Sequence, residues 1–147
     1  MNLDALNWKI LRCLQQNARQ SNAEIGRQVG ISSPAVSERI KKLEDAGIIL
    51  GYKTIVSPLD MGYQLKAIIT LRAFIGKLKP FLDKVKTYDE VLNCYRITGN
   101  ENIVMEVVLK NQKHLESFID QLIIYGETKT QIVLSHVIRY KELKPSK

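Results

Sequence analysis

Cysteine is nearly absent from this 147-residue sequence, which has only Cys13 and Cys94. Neither has a second cysteine or a histidine at metal-ligand spacing. That excludes a disulfide framework and a cysteine-based metal site, and it fits reduced thiols in a cytoplasmic protein. Histidine is equally scarce, with His114 and His136 alone. No catalytic triad, carboxylate pair or metal-ligand cluster is evident, so neither a cofactor nor a metal is expected. Long apolar runs are missing too. The longest stretch without Asp, Glu, Lys or Arg is ten residues, Gln28 to Ser37, against the roughly 20 that a membrane helix needs. The opening Met1-Asn2-Leu3-Asp4 has no basic region followed by an apolar one, so no secretory signal is expected. There is no low-complexity segment and no internal repeat.

What is present is a 45% hydrophobic, 25% charged composition, that of a folded domain rather than a disordered tail. Lys and Arg number 22 against 15 Asp and Glu, a net charge of +7 that favours a polyanionic partner. The pattern changes near residue 60. Before it, apolar residues recur at helical spacing; after it, strand-like and helical runs alternate. Ser57-Pro58-Leu59-Asp60-Met61-Gly62 marks the hinge. The implied domains are 1–60 and 61–147, an α+β chain. With 8 basic against 6 acidic residues in the first and 14 against 9 in the second, the excess is +2 and +5. Segments this small bury little of their surface, so association with another subunit is expected.

In the first domain, Asp4 can cap a helix carrying Leu6, Ile10, Cys13 and Leu14 on one face. Asn22 can cap a second, with Ile25 and Val29 inward, Gly26 leaving room for a crossing helix and Gly30 ending it. Ser32 caps a third, with Pro34 in its first turn and Val36, Ile40 and Leu43 inward. This is a helix-turn-helix over about 22–43. The outer face of the last helix carries Ser33, Ser37 and Lys41, flanked by Pro34, Glu38 and Lys42. Short hydrogen-bonding groups can approach base edges while basic ones reach phosphates. The DNA-contacting set is therefore Ser32, Ser33, Pro34, Ser37 and Glu38 nearest the bases, with Arg39, Lys41 and Lys42 toward the phosphates. Arg39 has the alternative of pairing with a carboxylate such as Glu44. Residues 48–57, around Gly51, read as a two-stranded wing.

In the second domain, residues 66–74 alternate, with Ala67, Ile69, Leu71 and Ala73 on one face. A helix with Leu78, Phe81, Leu82 and Val85 inward follows. Strands over 91–98 and 103–110 flank Gly99-Asn100-Glu101-Asn102. A second helix carries Leu115, Phe118 and Leu122, and a long strand is expected over 130–140. The order βαββαβ is ferredoxin-like. Val104 and Val108 oppose Ile103, Met105, Val107 and Leu109, so the sheet is apolar on both faces while its helices cover one. The other face is expected to join two copies of the chain.

These features together resemble the Lrp/AsnC, or leucine-responsive, family of transcription regulators. The resemblance runs through Glu24-Ile25-Gly26, Val29-Gly30-Ile31-Ser32, Leu43-Glu44 and Gly47-Ile48-Ile49-Leu50-Gly51-Tyr52. It continues in Cys94-Tyr95-Arg96-Ile97-Thr98-Gly99 and in Thr128-Lys129-Thr130-Gln131-Ile132-Val133-Leu134. It implies a winged helix-turn-helix joined to a ferredoxin-like RAM domain. It also implies binding to double-stranded DNA, a dimer, an octamer of four dimers, and an amino acid or other small effector held between subunits. The effector positions that match are Gly99, Asn100, Glu101, Asn102, Thr128 and Thr130. The sequence departs from the family where Asn7 replaces Asp and where two loop carboxylates have become Asn100 and Asn102. In the family a loop carboxylate pairs with the amino acid's ammonium, so weak amino-acid binding is expected here. Two alternatives stand beside this reading: a DNA-architectural protein without a ligand, and a tetrapyrrole decarboxylase-like enzyme, in which His114 or His136 would act.

Overall fold

The computed structural model describes residues 3–146. Met1, Asn2 and Lys147 lie outside the described residues, and with them part of the N-terminal signal reading. The chain falls into two compact units, Met1–Ile55 together with Ile138–Lys147, and Val56–Val137. The closing segment thus packs with the first unit, whereas the expected range 61–147 assigned it to the second.

Three helices build the first unit: α1 (Ala5–Gln16), α2 (Asn22–Val29) and α3 (Ser33–Asp45). Asp4 caps α1, its carboxylate accepting the Asn7 N–H at 2.7 Å. The cap of α2 is Ser21 rather than Asn22, because Ser21 and Glu24 close a reciprocal box. The Glu24 N–H donates to Ser21 Oγ at 3.2 Å and the Ser21 N–H to Glu24 Oε2 at 2.7 Å. Ser32 caps α3 as expected, accepting from the Ala35 N–H at 3.4 Å. Ile10, Cys13, Ile25 and Val36 meet in one buried cluster, with Leu14, Val29, Ile31 and Ile40 packed against it.

The turn between α2 and α3 depends on two glycines. Gly30 holds φ at +80°, in the left-handed region. Gly26 lies where a Cβ would stand 2.5 Å from the Ile31 carbonyl oxygen. Its own carbonyl accepts the N–H groups of Gly30 and Ile31, at 2.8 and 3.1 Å. On α1, the Gln15 carboxamide grips the backbone of Leu143, accepting its N–H at 2.8 Å and donating to its carbonyl at 3.2 Å. That pair of hydrogen bonds, with Arg12 close to Glu142, fastens the closing segment to the first unit.

The expected wing over 48–57 is corrected: no strand ladder forms there. The N–H groups of Ile48 and Ile49 both donate to the Leu43 carbonyl, at 2.9 and 3.1 Å, and so fold back on the end of α3. A lone two-stranded ribbon of this length is marginal in water in any case.

The second unit is a four-stranded antiparallel sheet in the order β2-β3-β1-β4, with β1 (Leu65–Ala73), β2 (Val91–Arg96), β3 (Ile103–Leu109) and β4 (Gly126–Ile132). Helices α4 (Leu78–Lys84) and α5 (Gln112–Leu122) cover one face. There Ala67, Ile69, Leu71, Ile103, Met105, Val107 and Leu109 are buried with Phe81, Phe118 and Leu122. Tyr88 meets Phe118 edge to face, their ring centroids 5.2 Å apart. The last strand differs from the expected 130–140. It starts earlier, at residues of weak β propensity that β1 pairs regardless. It ends at Ile132, opposite Ala67, two residues short of the start of β1 at Leu65.

The other sheet face carries Ile68, Thr70, Val104 and Val108, together with an ion pair of Lys66 and Glu106. Asn93 on β2 also donates to Glu106, at 2.8 Å. The Lys66 ammonium chiefly holds the Glu106 carboxyl below its usual range, against the opposing effect of its partial burial. A depressed folded pKa means that the ionised pair stabilises the protein fully above the ordinary value of 4.5 and loses that contribution as pH falls toward the depressed one. Melting curves at decreasing pH should therefore show a shallower acid limb for Glu106→Gln than for the parent. Equal limbs would contradict the pairing.

Candidate functional site

Helix α3 is anchored by Val36 and Leu43, both fully buried. That anchoring turns Ser32, Pro34, Ser37, Glu38, Lys41 and Lys42 outward to solvent, with Ser33 half-buried beside them. The N-terminal turn offers hydroxyls and a proline ring, with no long side chain in the way. The C-terminal half offers Lys41 and Lys42, each resting on a carboxylate one turn away. Lys42 reaches Glu38 at 2.7 Å and Lys41 reaches Asp45 at 3.6 Å. The Lys42 hydrogen bond keeps the Glu38 carboxyl below its usual range. Such exposed pairs are weak and exchange readily for phosphate.

Arg39 has a different place from Lys41 and Lys42. Its Nη1 donates to Asp4 Oδ2 and to Asn7 Oδ1, both at 2.8 Å, and so fastens α3 to the start of α1. Asn7 is only 6% exposed. The Asn7 backbone N–H first, and Arg39 second, hold the Asp4 carboxyl low. Glu44, the carboxylate suggested by the sequence, instead accepts the Tyr52 hydroxyl at 2.8 Å. Partial burial and that bond push Tyr52 up to about 12. Arg39→Ala should strand the buried Asn7 carbonyl and cost about 1–3 kcal/mol. A lower melting temperature with an unchanged ratio of operator to random-duplex affinity is the expected result. Unchanged melting with uniformly weaker DNA binding would instead make Arg39 a phosphate contact.

In the second unit the six effector candidates divide. Gly99, Asn100, Glu101 and Asn102 close the turn between β2 and β3. Glu101 reaches across to β4, where Lys129 donates to it at 2.8 Å. This bond lowers the Glu101 pKa and raises that of Lys129. Thr128 and Thr130 pair with Leu71 and Ile69, whose side chains lie in the core. They therefore sit on the helix-covered side, and Lys129 on the other. Asn102 is built into the backbone. Its N–H donates to the Leu71 carbonyl at 3.0 Å, its carbonyl accepts the Ile97 N–H at 2.9 Å, and its Oδ1 accepts the Ala73 N–H at 2.7 Å. Local sequence pattern does not reveal Lys129 or the Ala73 N–H as loop partners, because they lie 28 and 29 residues away.

The histidines hold structural contacts. His114 Nε2 is 2.9 Å from Glu90, and its Nδ1 accepts the Lys110 N–H at 3.1 Å. His136 is close enough to Glu106 to act on its charge. Among the described residues, no group of His, Cys, Asp and Glu is placed to hold a metal. No helix is long and apolar enough to cross a membrane.

Two family models match the chain: a winged helix-turn-helix DNA-binding model over residues 3–49 and an Lrp/AsnC ligand-binding domain over residues 66–143. Among curated relatives, the transcriptional regulator Ptr1 of Methanocaldococcus jannaschii is 38% identical over 82% of this chain and 82% of its own. A Neisseria meningitidis transcriptional regulator, solved as a complex with L-Met, superposes with a TM-score of 0.92 at 26% identity, covering 97% of each chain. Escherichia coli AsnC superposes with a TM-score of 0.87 at 31% identity, over 99% of this chain and 100% of that one.

Proposed function

Because the chain belongs to the Lrp/AsnC family of transcriptional regulators, we propose that its DNA site is the outward face of α3, presented twice by a symmetric dimer. The observation that carries this is the division of α3. Val36 and Leu43 are sealed in the core, Arg39 is tied to α1, and Ser33, Ser37, Lys41 and Lys42 remain for DNA. Ser32, Pro34 and Glu38 frame the end that meets the bases. The dimer joins through the open sheet face around Ile68 and Val104, which are only half-covered in the single chain. Phe74, Ile75, Ile123 and Ile124, exposed near one end of the sheet, supply a second contact through which four dimers assemble. Half-sites then fall about 34–36 Å apart or at multiples of that spacing. DNA wrapped over several dimers bends most readily at pyrimidine–purine steps.

The loop at residues 99–102 is the effector position, as the match to a ligand-binding domain and the L-Met complex of the Neisseria relative support. The reading as an architectural protein without a ligand draws support from one observation: Glu101 Oε1 and Asn102 Oδ1 already have partners within the chain. Selection of duplexes from a random library, followed by anisotropy titration against a scrambled duplex, tests the DNA reading. A selected sequence with affinity well above the scrambled one is expected. Equal affinities would overturn it.

A further inference from the structure

The atom that decides the ligand is Asn102 Nδ2. A backbone N–H can donate only to an acceptor, so the Asn102 atom facing the Ala73 N–H at 2.7 Å must be the carbonyl oxygen. The orientation of the amide is therefore fixed by its partner. The other end, the NH₂ group, makes no hydrogen bond to any described residue and carries two donors to the half-buried surface of the loop. Around it, Oε1 of the Glu101 carboxylate is paired with the exposed Lys129. Arg72 and Glu127 are the other charges that act on this pair. One positive and one negative side chain thus flank a pair that neutralises itself. Asn100 adds a single exposed neutral amide.

An ammonium group leaving water needs a charge or several acceptors to replace its hydration. This loop offers donors at Asn102 where such a group would need acceptors. Resting on the reading of residues 99–102 as the effector loop, we infer that the protein takes a ligand presenting a hydrogen-bond acceptor to Asn102 Nδ2, namely a small 2-oxo acid in place of the amino acid of the same skeleton. Its C2 carbonyl accepts from the amide where an amino acid would place an ammonium against two N–H donors.

Asn102→Asp is the decisive variant, because it keeps the shape and the bond from the Ala73 N–H. It changes only the outward group, from two donors to a charged acceptor. Calorimetry on the full chain would use four matched pairs: pyruvate and alanine, 4-methyl-2-oxopentanoate and leucine, 4-methylthio-2-oxobutanoate and methionine, 2-oxoglutarate and glutamate. The parent should bind at least one oxo acid about tenfold or more tightly than its amino-acid partner, and Asn102→Asp should reverse that preference. If the parent binds an amino acid as well as or better than the matching oxo acid, the inferred polarity is wrong while the loop remains an effector site. If neither protein binds any of the eight compounds, both the polarity and the effector reading fall. An oxo-acid preference that survives Asn102→Asp unchanged would place the discrimination elsewhere and overturn the role of Asn102.

Discussion

A Gly26→Ala protein is expected to lose operator binding together with the normal melting of its first unit. The added Cβ would stand 2.5 Å from the Ile31 carbonyl oxygen, with Ile31 and Ser32 carbon atoms 3.6 Å away. These are backbone atoms of the turn that sets the angle between α2 and α3, so no side-chain rotation relieves the contact. The same turn holds the N–H groups of Gly30 and Ile31 on the Gly26 carbonyl. Pushing it open disturbs those bonds and the packing of Ile25 against Val36. Overpacking of this kind costs about 1–3 kcal/mol, and a rigid backbone neighbour places it at the upper end. For a unit of this size, each kcal/mol lowers the melting temperature by about 4–8 °C. A drop of roughly 12–24 °C in a thermal melt, with operator affinity falling toward that of random duplex, is the expected outcome. A Gly26→Ala protein with parental melting and parental affinity would show that the close approach at this turn is dispensable.

Val104→Asp should convert the assembly into a monomer. Val104 lies on β3 opposite Thr70 of β1 and Tyr95 of β2, so its side chain stands on the open face of a central strand. Once two such faces meet, the aspartate has no water and no added cation, and burying an unpaired carboxylate costs several kcal/mol. The Lys66 and Glu106 charges on this face already satisfy each other, with Asn93 as a further donor, and are not free to receive it. Light scattering should report 16.8 kDa for the variant and a multiple of that mass for the parent. Operator affinity should fall with it, because one half-site alone loses the linked second contact. A Val104→Asp protein that keeps the parental mass would move the dimer interface off this face.

Local signals in the sequence located most of the scaffold. Asp4 and Ser32 read as caps because an oxygen on a short side chain can reach the N–H groups of the next turn, and both do so. The inward stripes Ile10–Cys13, Ile25 and Val36–Leu43 follow helical period. The alternation of Ala67, Ile69 and Leu71 and of Ile103, Met105, Val107 and Leu109 follows strand period. What periodicity does not encode is pairing between distant positions. Arg39 takes Asp4 rather than the nearby Glu44, at a separation of 35 residues. Lys129 takes Glu101, and Gln15 takes the backbone of Leu143, 128 residues away. The last strand, Gly126–Ile132, departs from the expected range for a related reason. Gly126, Glu127 and Lys129 are poor strand formers, and their ladder is imposed by pairing with β1. The candidate DNA face was legible because a helix buried on one side must show the other. The commitment of Asn102 was not, because its partner is a backbone N–H.

The central claim is that α3 reads base edges with Ser37 while Lys41 grips phosphate. Anisotropy titration of a selected operator and a scrambled duplex, over a range of salt concentrations, tests it on three proteins: the parent, Ser37→Ala and Lys41→Ala. Ser37→Ala should change the ratio of the two affinities while leaving the salt slope in place. Lys41→Ala should weaken both duplexes alike and reduce the slope by about one unit. Identical affinity ratios for Ser37→Ala and the parent would contradict the account, because the exposed hydroxyl at the start of α3 would then take no part in choosing the sequence.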